Sequence, residues 1–486
     1  MSLDIPLLTI ISFLLATAVI VCYSIKRFTT FRVYAVGDRQ FSTASLVATT
    51  LATYYGGATL IGNLTKFYLG PFWISWRLAG ILLPFLMLSW LSIRISKFIY
   101  HISMPETIGR VYGRYPRIIT ALLGCCHSIV FVATQVHIVS QVISRCIHSV
   151  NPHFITILAA VMLIAYTIFG GIRAVVLTDI WQFITFVGLI CLSAWFMFTK
   201  TNHPISETLA LKDAWGDLFL GQSTLVVMLR YLALIFAFIE PGYLQHMYMS
   251  SAPAQAKKVF LYAGIIGFII MLCCILSGAF VAAWIPQEVP PKEIFNYIMD
   301  HTSPLIKGIL CICLLALTMS TADSRLHVCA VMISYDLLPT LLRVRLRKNL
   351  SCIVHYRIAY ISILVITTFV IVLCLNSAYL ATLRDMSNWL GRFYIPIVAA
   401  PFILAVLGFH NTSPTALIGM ATGALAVVAW GKWVYPILLT GSSTFPCVLA
   451  NGLAMLAVHY IITTIKTYKK YPLKLLATLL KNKKKI

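Results

Sequence analysis

The chain is 486 residues long, with 60% apolar residues and only 10% charged ones, where a soluble domain carries roughly 25% charged. That composition excludes a soluble enzyme, a disordered chain and a secreted disulfide scaffold, and leaves a polytopic membrane protein. The 37 Lys and Arg against 14 Asp and Glu give a formal charge of +23, which in a membrane chain marks sides of the bilayer rather than nucleic acid.

A helix needs about 20 mostly apolar residues to cross a bilayer. Thirteen such stretches are expected in chain order, at 5–24, 44–64, 70–98, 118–146, 154–170, 177–199, 222–248, 259–285, 304–335, 354–376, 380–407, 414–438 and 445–465. The first lacks a basic n-region and a small-residue cleavage site, and is read as a retained helix rather than a signal peptide. The 13 Cys include Cys125-Cys126 and Cys273-Cys274 inside apolar runs. They are read as reduced thiols acting as small hydrophobes, and no repeated C-x-x-C suggests a metal.

Basic residues follow alternate spans: Lys26, Arg27, Arg32 and Arg39 the first; Arg110, Arg114 and Arg117 the third; Arg173 the fifth; Lys257 and Lys258 the seventh; Arg343, Arg345, Arg347 and Lys348 the ninth. The intervening loops hold Glu207, Asp213, Asp217, Glu288, Glu293 and Asp300 instead. The positive-inside rule then puts the N-terminus outside and the C-terminus, with Lys469, Lys470 and Lys483 to Lys485, in the cytoplasm. An odd number of spans satisfies that asymmetry.

Two spans carry interruptions. The second has Gly56-Gly57 at mid-depth, and the seventh has Glu240-Pro241-Gly242, where Pro241 removes a backbone donor. Freed backbone is tolerated at membrane depth only where it is buried or lines a cavity. Each broken span opens a five-helix set, so the pair points to an inverted-repeat transporter with its site at the midplane. The bland alternative is that Gly pairs serve close helix packing. Glu240, Asp323 and Asp385 fall inside spans, with Asp179 and Asp336 at or near cytoplasmic ends. A membrane acid is functional by default, unless it pairs with Arg77, Arg230, Arg325, Arg384 or Arg392.

Four segments in order then match a known family. Gly170-Gly171-Ile172-Arg173-Ala174-Val175-Val176-Leu177-Thr178-Asp179-Ile180-Trp181-Gln182 resembles the signature of the sodium/solute symporter family. That family carries proline, pantothenate, sialic acid or sugars. Tyr34 to Arg39 is similar to its pre-helix motif, Met104 to Arg110 to its first large inner loop, and Met319 to Ser324 to its sodium-site helix. The resemblance implies an all-α membrane protein with a LeuT-like core of two inverted five-helix repeats, one helix before and two after. The corresponding division is 1–43, first helix and basic loop; 44–199, core repeat 1; 200–221, external loop; 222–407, core repeat 2; 408–468, two C-terminal helices; and 469–486, basic cytoplasmic tail.

Carried over residue by residue, the resemblance implies a sodium site made of the carbonyls of Ala52, Tyr55 and Leu317 and the hydroxyls of Ser320 and Thr321. Unwound backbone and hydroxyls suit a hard cation, although Ser and Thr hydroxyls also bond back to the carbonyl four residues earlier. Asp179, with Asp323, falls on the implied sodium path or a second site; an ion pair of Asp179 with Arg173 is the structural rival. Tyr54 stands where the proline carriers have an aspartate, a departure that puts ion affinity in question and leaves protons as a substitute. Gly56, Gly57, Pro241 and Gly242 are the expected hinges. By analogy Thr59, Arg77, Tyr243, Gln245 and Trp389 line the solute pocket, with Arg77 favouring an anionic or zwitterionic solute unless it pairs with Glu240.

The expected function is secondary active symport of sodium and a small organic solute, such as proline, an organic anion or a vitamin, by alternating access. Na+ is the coupling ion, no organic cofactor is expected, and the partners are the solute and the lipid bilayer, not nucleic acid. The expected location is the bacterial inner membrane. The alternative is a transporter-like sensor acting with a separate signalling partner. An intramembrane enzyme is disfavoured because no G-x-S-x-G or H-E-x-x-H motif is present, and because His327 and Cys329 point about 200° apart on a helix.

Overall fold

A computed structural model describes residues 5–25, 30–57, 59, 71–146, 151–200, 223–284, 289–290, 293–342, 352–375, 380–409, 412–438 and 443–470. Several expectations lie outside these: most of the external loop, the tail from 471, most of the second span beyond Thr59, and the loop residues Lys26, Arg27, Glu207, Asp213, Asp217, Glu288, Arg343, Arg345, Arg347 and Lys348.

The described chain is helical. In order come α1 (Ile5–Ser24), α2 (Phe31–Val36), α3 (Thr43–Tyr54), α4 (Pro71–Ser92), α5 (Met104–Tyr112), α6 (Arg114–Cys146), α7 (Pro152–Lys200) and α8 (Thr224–Leu234). There follow α9 (Pro241–Met249), α10 (Pro253–Trp284), α11 (Ile294–His301), α12 (Pro304–Val331), α13 (Cys352–Leu375), α14 (Leu380–Val406), α15 (Ser413–Ala429) and α16 (Thr444–Lys470). A π-helical turn, Met332–Leu337, prolongs α12. Ten helices among the described residues are long and apolar enough to cross a membrane, not the thirteen expected. The pair α8/α9 is broken before Pro241, α7 carries two expected spans in one run, and the second expected span lies mostly outside the described residues beyond α3.

That run bends at Gly171, whose φ of 52° and ψ of −153° leave the helical region. A side chain there would be strained, and a Cβ on Gly170 would lie 2.1 Å from Ala174 Cβ. The two glycines thus turn the chain without room for anything larger.

Two sets of neighbours recur in the packing, joined where α3 and α10 both lie on α7. Helix α10 lies along α4 and also against α3; α8 packs on α4, and α9 on α3 and α10. Helix α12 lies along α6 and α7, with α13 packed on all three. Helices α14, α15 and α16 form a third layer, touching the second group through α6. Leu8, Leu15 and Val19 of α1 and Ile361, Val365 and Val372 of α13 face outward, as lipid-facing surfaces do.

The reduced-thiol expectation needs correction for two residues. Cys146 and Cys311 form a disulfide between α6 and α12, with Cα atoms 7.1 Å apart. Both sit toward helix ends rather than mid-run. Cys125, Cys126, Cys273 and Cys274 are free, as expected.

Helix α14 contains Pro396 and Pro401. Pro401 has no N–H for the carbonyl of Ile397, and the buried Asn451 of α16 supplies one: its Nδ2 lies 3.0 Å from Ile397 O and 2.8 Å from Pro396 O. Asn451→Leu keeps the volume and removes the donor. It should destabilise the folded protein by roughly 1–3 kcal/mol, measured as a lower thermal midpoint in detergent, while Leu449→Ala on the exposed face of α16 should change it little.

Candidate ion and solute site

The site begins where α3 stops. Ser42 caps its first turn through Ser45 N, and at the other end Tyr55 takes φ −82° and ψ 77°. Gly56 N–H then donates to Tyr54 O at 3.0 Å instead of continuing the helix to Ala52 O. The carbonyls so released turn to α12. Ser320 Oγ lies 3.0 Å from Ala52 O and 3.1 Å from Leu317 O. Thr321 Oγ1 lies 2.9 Å from Leu317 O and 3.5 Å from Thr53 O. Three carbonyls and two hydroxyls thus converge in a buried space. Such an oxygen-rich cluster suits a hard cation.

Ala52, Leu317, Ser320 and Thr321 are brought together here. Thr53, whose carbonyl joins them, was not singled out by motif; its signal is that any of the last four carbonyls of a broken helix is free. Tyr55 adjoins the cluster as the turning residue, while its hydroxyl donates to Gly267 O at 2.6 Å. The two glycines are needed for close approach. A Cβ on Gly56 would lie 3.1 Å from Thr321 Oγ1, and one on Gly57 only 2.5 Å from Thr318 Cγ2.

A polar line runs on from this cluster. Thr53 Oγ1 is 3.2 Å from Ser324 Oγ, which is 3.3 Å from Asp179 Oδ2, and Thr49 Oγ1 donates to the same oxygen. Asp323 accepts from Tyr166 at 2.8 Å and from Ser324 N–H. Both acids are fully buried. Among the described residues neither forms a salt bridge: Arg173 does not pair with Asp179, and Arg325 turns to Glu240 rather than Asp323. A buried carboxylate without a cationic partner calls for a bound cation or a proton.

Glu240 opens α9 without capping it. Arg325 Nη2 pairs with its Oε1, and His127 Nδ1 lies 3.4 Å from its Oε2. The guanidinium covers the Phe131 ring at 4.5 Å, and a Cβ on Gly242 would come within 2.9 Å of its Nε. Pro241 sits in the first turn, where its missing N–H costs nothing.

The expected solute residues scatter. Tyr243 is buried, its ring 4.3 Å from Phe238 and 5.4 Å from the Arg325 guanidinium. Thr59 N–H donates to Gly56 O at 2.9 Å, beside the first break. Arg77 is half-buried over Trp76 at 5.6 Å, not paired with Glu240. Gln245 spends its amide on Ala35 O at 2.8 Å. Trp389 is 62% exposed, stacked on Phe393, so it does not line the interior. Tyr394, five residues on and turned by about 140°, faces inward at 2% exposure and stacks on His127. His127, Phe131 and Gln135 recur every four residues along α6, a polar-aromatic stripe that could have been noticed in an apolar span.

A family model described as "Sodium:solute symporter family" matches residues 34–423. Sodium/proline symporters of Staphylococcus aureus are 26% identical over 308 residues, a match covering 59% of this chain and 57% of one relative, or 56% of that from strain JH9. The chain thus matches little more than half the length of these curated relatives. A substrate-bound, outward-open Na+-coupled sialic acid symporter aligns with TM-score 0.74 at 18% identity, over 93% of this chain and 97% of that one. Mhp1, a nucleobase-cation-symport-1 family transporter closed around bromovinylhydantoin, aligns with TM-score 0.58 at 13% identity, over 89% and 95%. At these identities they establish the LeuT-like fold, as the sequence resemblance implied.

The crowding at the first break gives a test. Gly57→Ala should destabilise the protein by about 1–3 kcal/mol through overpacking, and Thr318→Ser in the same chain, which deletes the obstructing methyl, should return most of the loss in thermal midpoint.

Proposed function

The chain belongs to the sodium:solute symporter family, and from that premise we propose that it is a secondary active transporter, moving sodium and a small organic solute together across the membrane by alternating access. The observation that carries this reading is the cluster of Ala52, Thr53 and Leu317 carbonyls with the Ser320 and Thr321 hydroxyls, where a broken helix meets an unbroken one. A sodium ion among these oxygens, with the Tyr55 carbonyl as a further ligand, supplies positive charge where they converge and draws α3 and α12 together. Coupling follows, because α3 also forms one wall of the space between the two breaks, where the solute binds.

Departure of the ion follows the hydroxyls of Thr53, Ser324 and Thr49 toward Asp179, with Asp323 alongside. A carboxylate in a low-dielectric channel attracts a cation strongly, so the two acids make up for the aspartate that Tyr54 replaces. Around the solute we place Thr59 and Tyr243 beside the breaks, with His127, Phe131, Gln135 and Tyr394 opposite. Arg77 would favour a carboxylate-bearing solute such as proline or an organic anion. The N-terminus lies outside and the basic loops lie in the cytoplasm, as in a bacterial plasma membrane.

Uptake in proteoliposomes, screened with amino acids, organic anions and vitamins, should depend on external sodium. The Ser320→Ala/Thr321→Ala double variant should lose most of that dependence while inserting normally. Wild-type uptake that ignores sodium and follows the proton gradient would overturn the assignment.

Asp179→Asn keeps the size and removes the charge. It should leave equilibrium solute binding in sodium near normal but slow turnover by about tenfold or more, as expected when a transit charge is lost. Arg173→Gln should be mild. Matched defects in Asp179→Asn and Arg173→Gln, no worse when combined, would instead mark a structural pair.

A further inference from the structure

Helix α9 starts at the second break and leads to the start of α10, which carries Lys257 and Lys258, and all nine of its residues are buried. It is fastened at three heights. Glu240, at its start, is paired with Arg325 of α12 and faces His127 of α6. Gln245 donates to Ala35 O of α2 at 2.8 Å. Tyr248, at its end, shares a hydrogen bond of 2.7 Å with Thr107 of α5.

Only the first fastening is ionic, and it ties the second break directly to α12 and α6. Helix α9 packs on α3 and α12 and, less, on α10, while α6 and α12 lie along each other and are joined by the Cys146–Cys311 disulfide. Relative motion of helix groups around a fixed site is how inverted-repeat carriers alternate. Motion that withdraws α9 must part Glu240 from Arg325.

We infer that the Glu240–Arg325 ion pair, with His127 behind it, is an intramembrane gate: it holds α9 shut against α6 and α12 and opens when the cytoplasmic route hydrates. The reading rests on the alternating-access function proposed above. Four features make the pair suited to open rather than to serve as a permanent strut. Arg325 gives Glu240 one nitrogen, while its Nε and Nη1 meet no protein acceptor among the described residues. These N–H groups gain partners once water follows the withdrawing helix, which offsets the loss of the pair. Gly242 leaves the guanidinium a smooth backbone to slide past, since a Cβ there would lie 2.9 Å from Nε. His127 and the Phe131 ring hold positions on α6, so the site keeps its shape as α9 leaves.

The test is hydrogen exchange of the full-length protein in lipid nanodiscs with sodium and no solute, read on peptides covering 241–249. Glu240→Gln and Arg325→Gln should each speed exchange in α9 by about a hundredfold or more, the lower range for breaking a buried pair. The peptides around Cys146 and Cys311 should stay as in wild type. Reversing the pair, Glu240→Arg with Arg325→Glu, should restore most of the protection, which a merely space-filling role would not do. Should Glu240→Gln fail to insert, Glu240→Asp, which keeps the charge and shortens the reach, should give intermediate exchange. Unchanged α9 exchange in the single variants, or a reversed pair as open as either one, would overturn the gate. Since no solute is present, sodium-independent uptake would sink the coupling and leave this result standing, and unchanged exchange would do the converse.

Discussion

A backbone carbonyl inside a bilayer has no water to turn to, and this chain ends two helices at that depth. Everything at the site answers that constraint. The carbonyls released by α3 are met by two hydroxyls of α12, and the start of α9 is prepared by a proline that has no N–H to satisfy. The glycines at both breaks follow from the same demand, because side chains from α12 must come within contact of bare backbone. The oxygen cluster is thus a by-product of incomplete helices, and a small cation is a natural partner for it.

Charge is handled in two ways within one layer. Glu240 is neutralised by Arg325 inside the protein, so it carries no demand for an external ion. Asp179 and Asp323 are surrounded by hydroxyls instead, which orient a carboxylate without cancelling it. A protein with 14 acids in all places these three within its membrane core, and gives only one of them an arginine. The contrast separates an internal fastening from a place where positive charge must pass.

Much of this was legible in residues. Apolar runs, alternating basic loops and the Gly56-Gly57 and Pro241-Gly242 interruptions gave the fold class and both breaks, because the bilayer leaves few alternatives. The Met319 to Ser324 segment led to the hydroxyls that meet α3. What sequence could not show was direction around a helix axis and partnership across helices. Trp389 and Tyr394 share one span, and only packing against α5 and α6 decides which turns inward. Arg325 was one of five arginines that could pair a membrane acid; Asp323, two residues away, points to a different face, and the partner of Arg325 proved to be Glu240, 85 residues distant. The Cys146–Cys311 bond spans 165 residues and has no local sign at all.

That bond also bears on how the molecule is made. Helices α6 and α12 enter the membrane far apart in synthesis, and their cysteines can meet only if both helices have threaded with those ends on the same side. A chain with one half inserted upside down would leave the two thiols on opposite sides and the bond unmade. The covalent link therefore keeps a record of correct topology: it closes on molecules whose two halves have opposed orientations, and it makes that arrangement hard to undo.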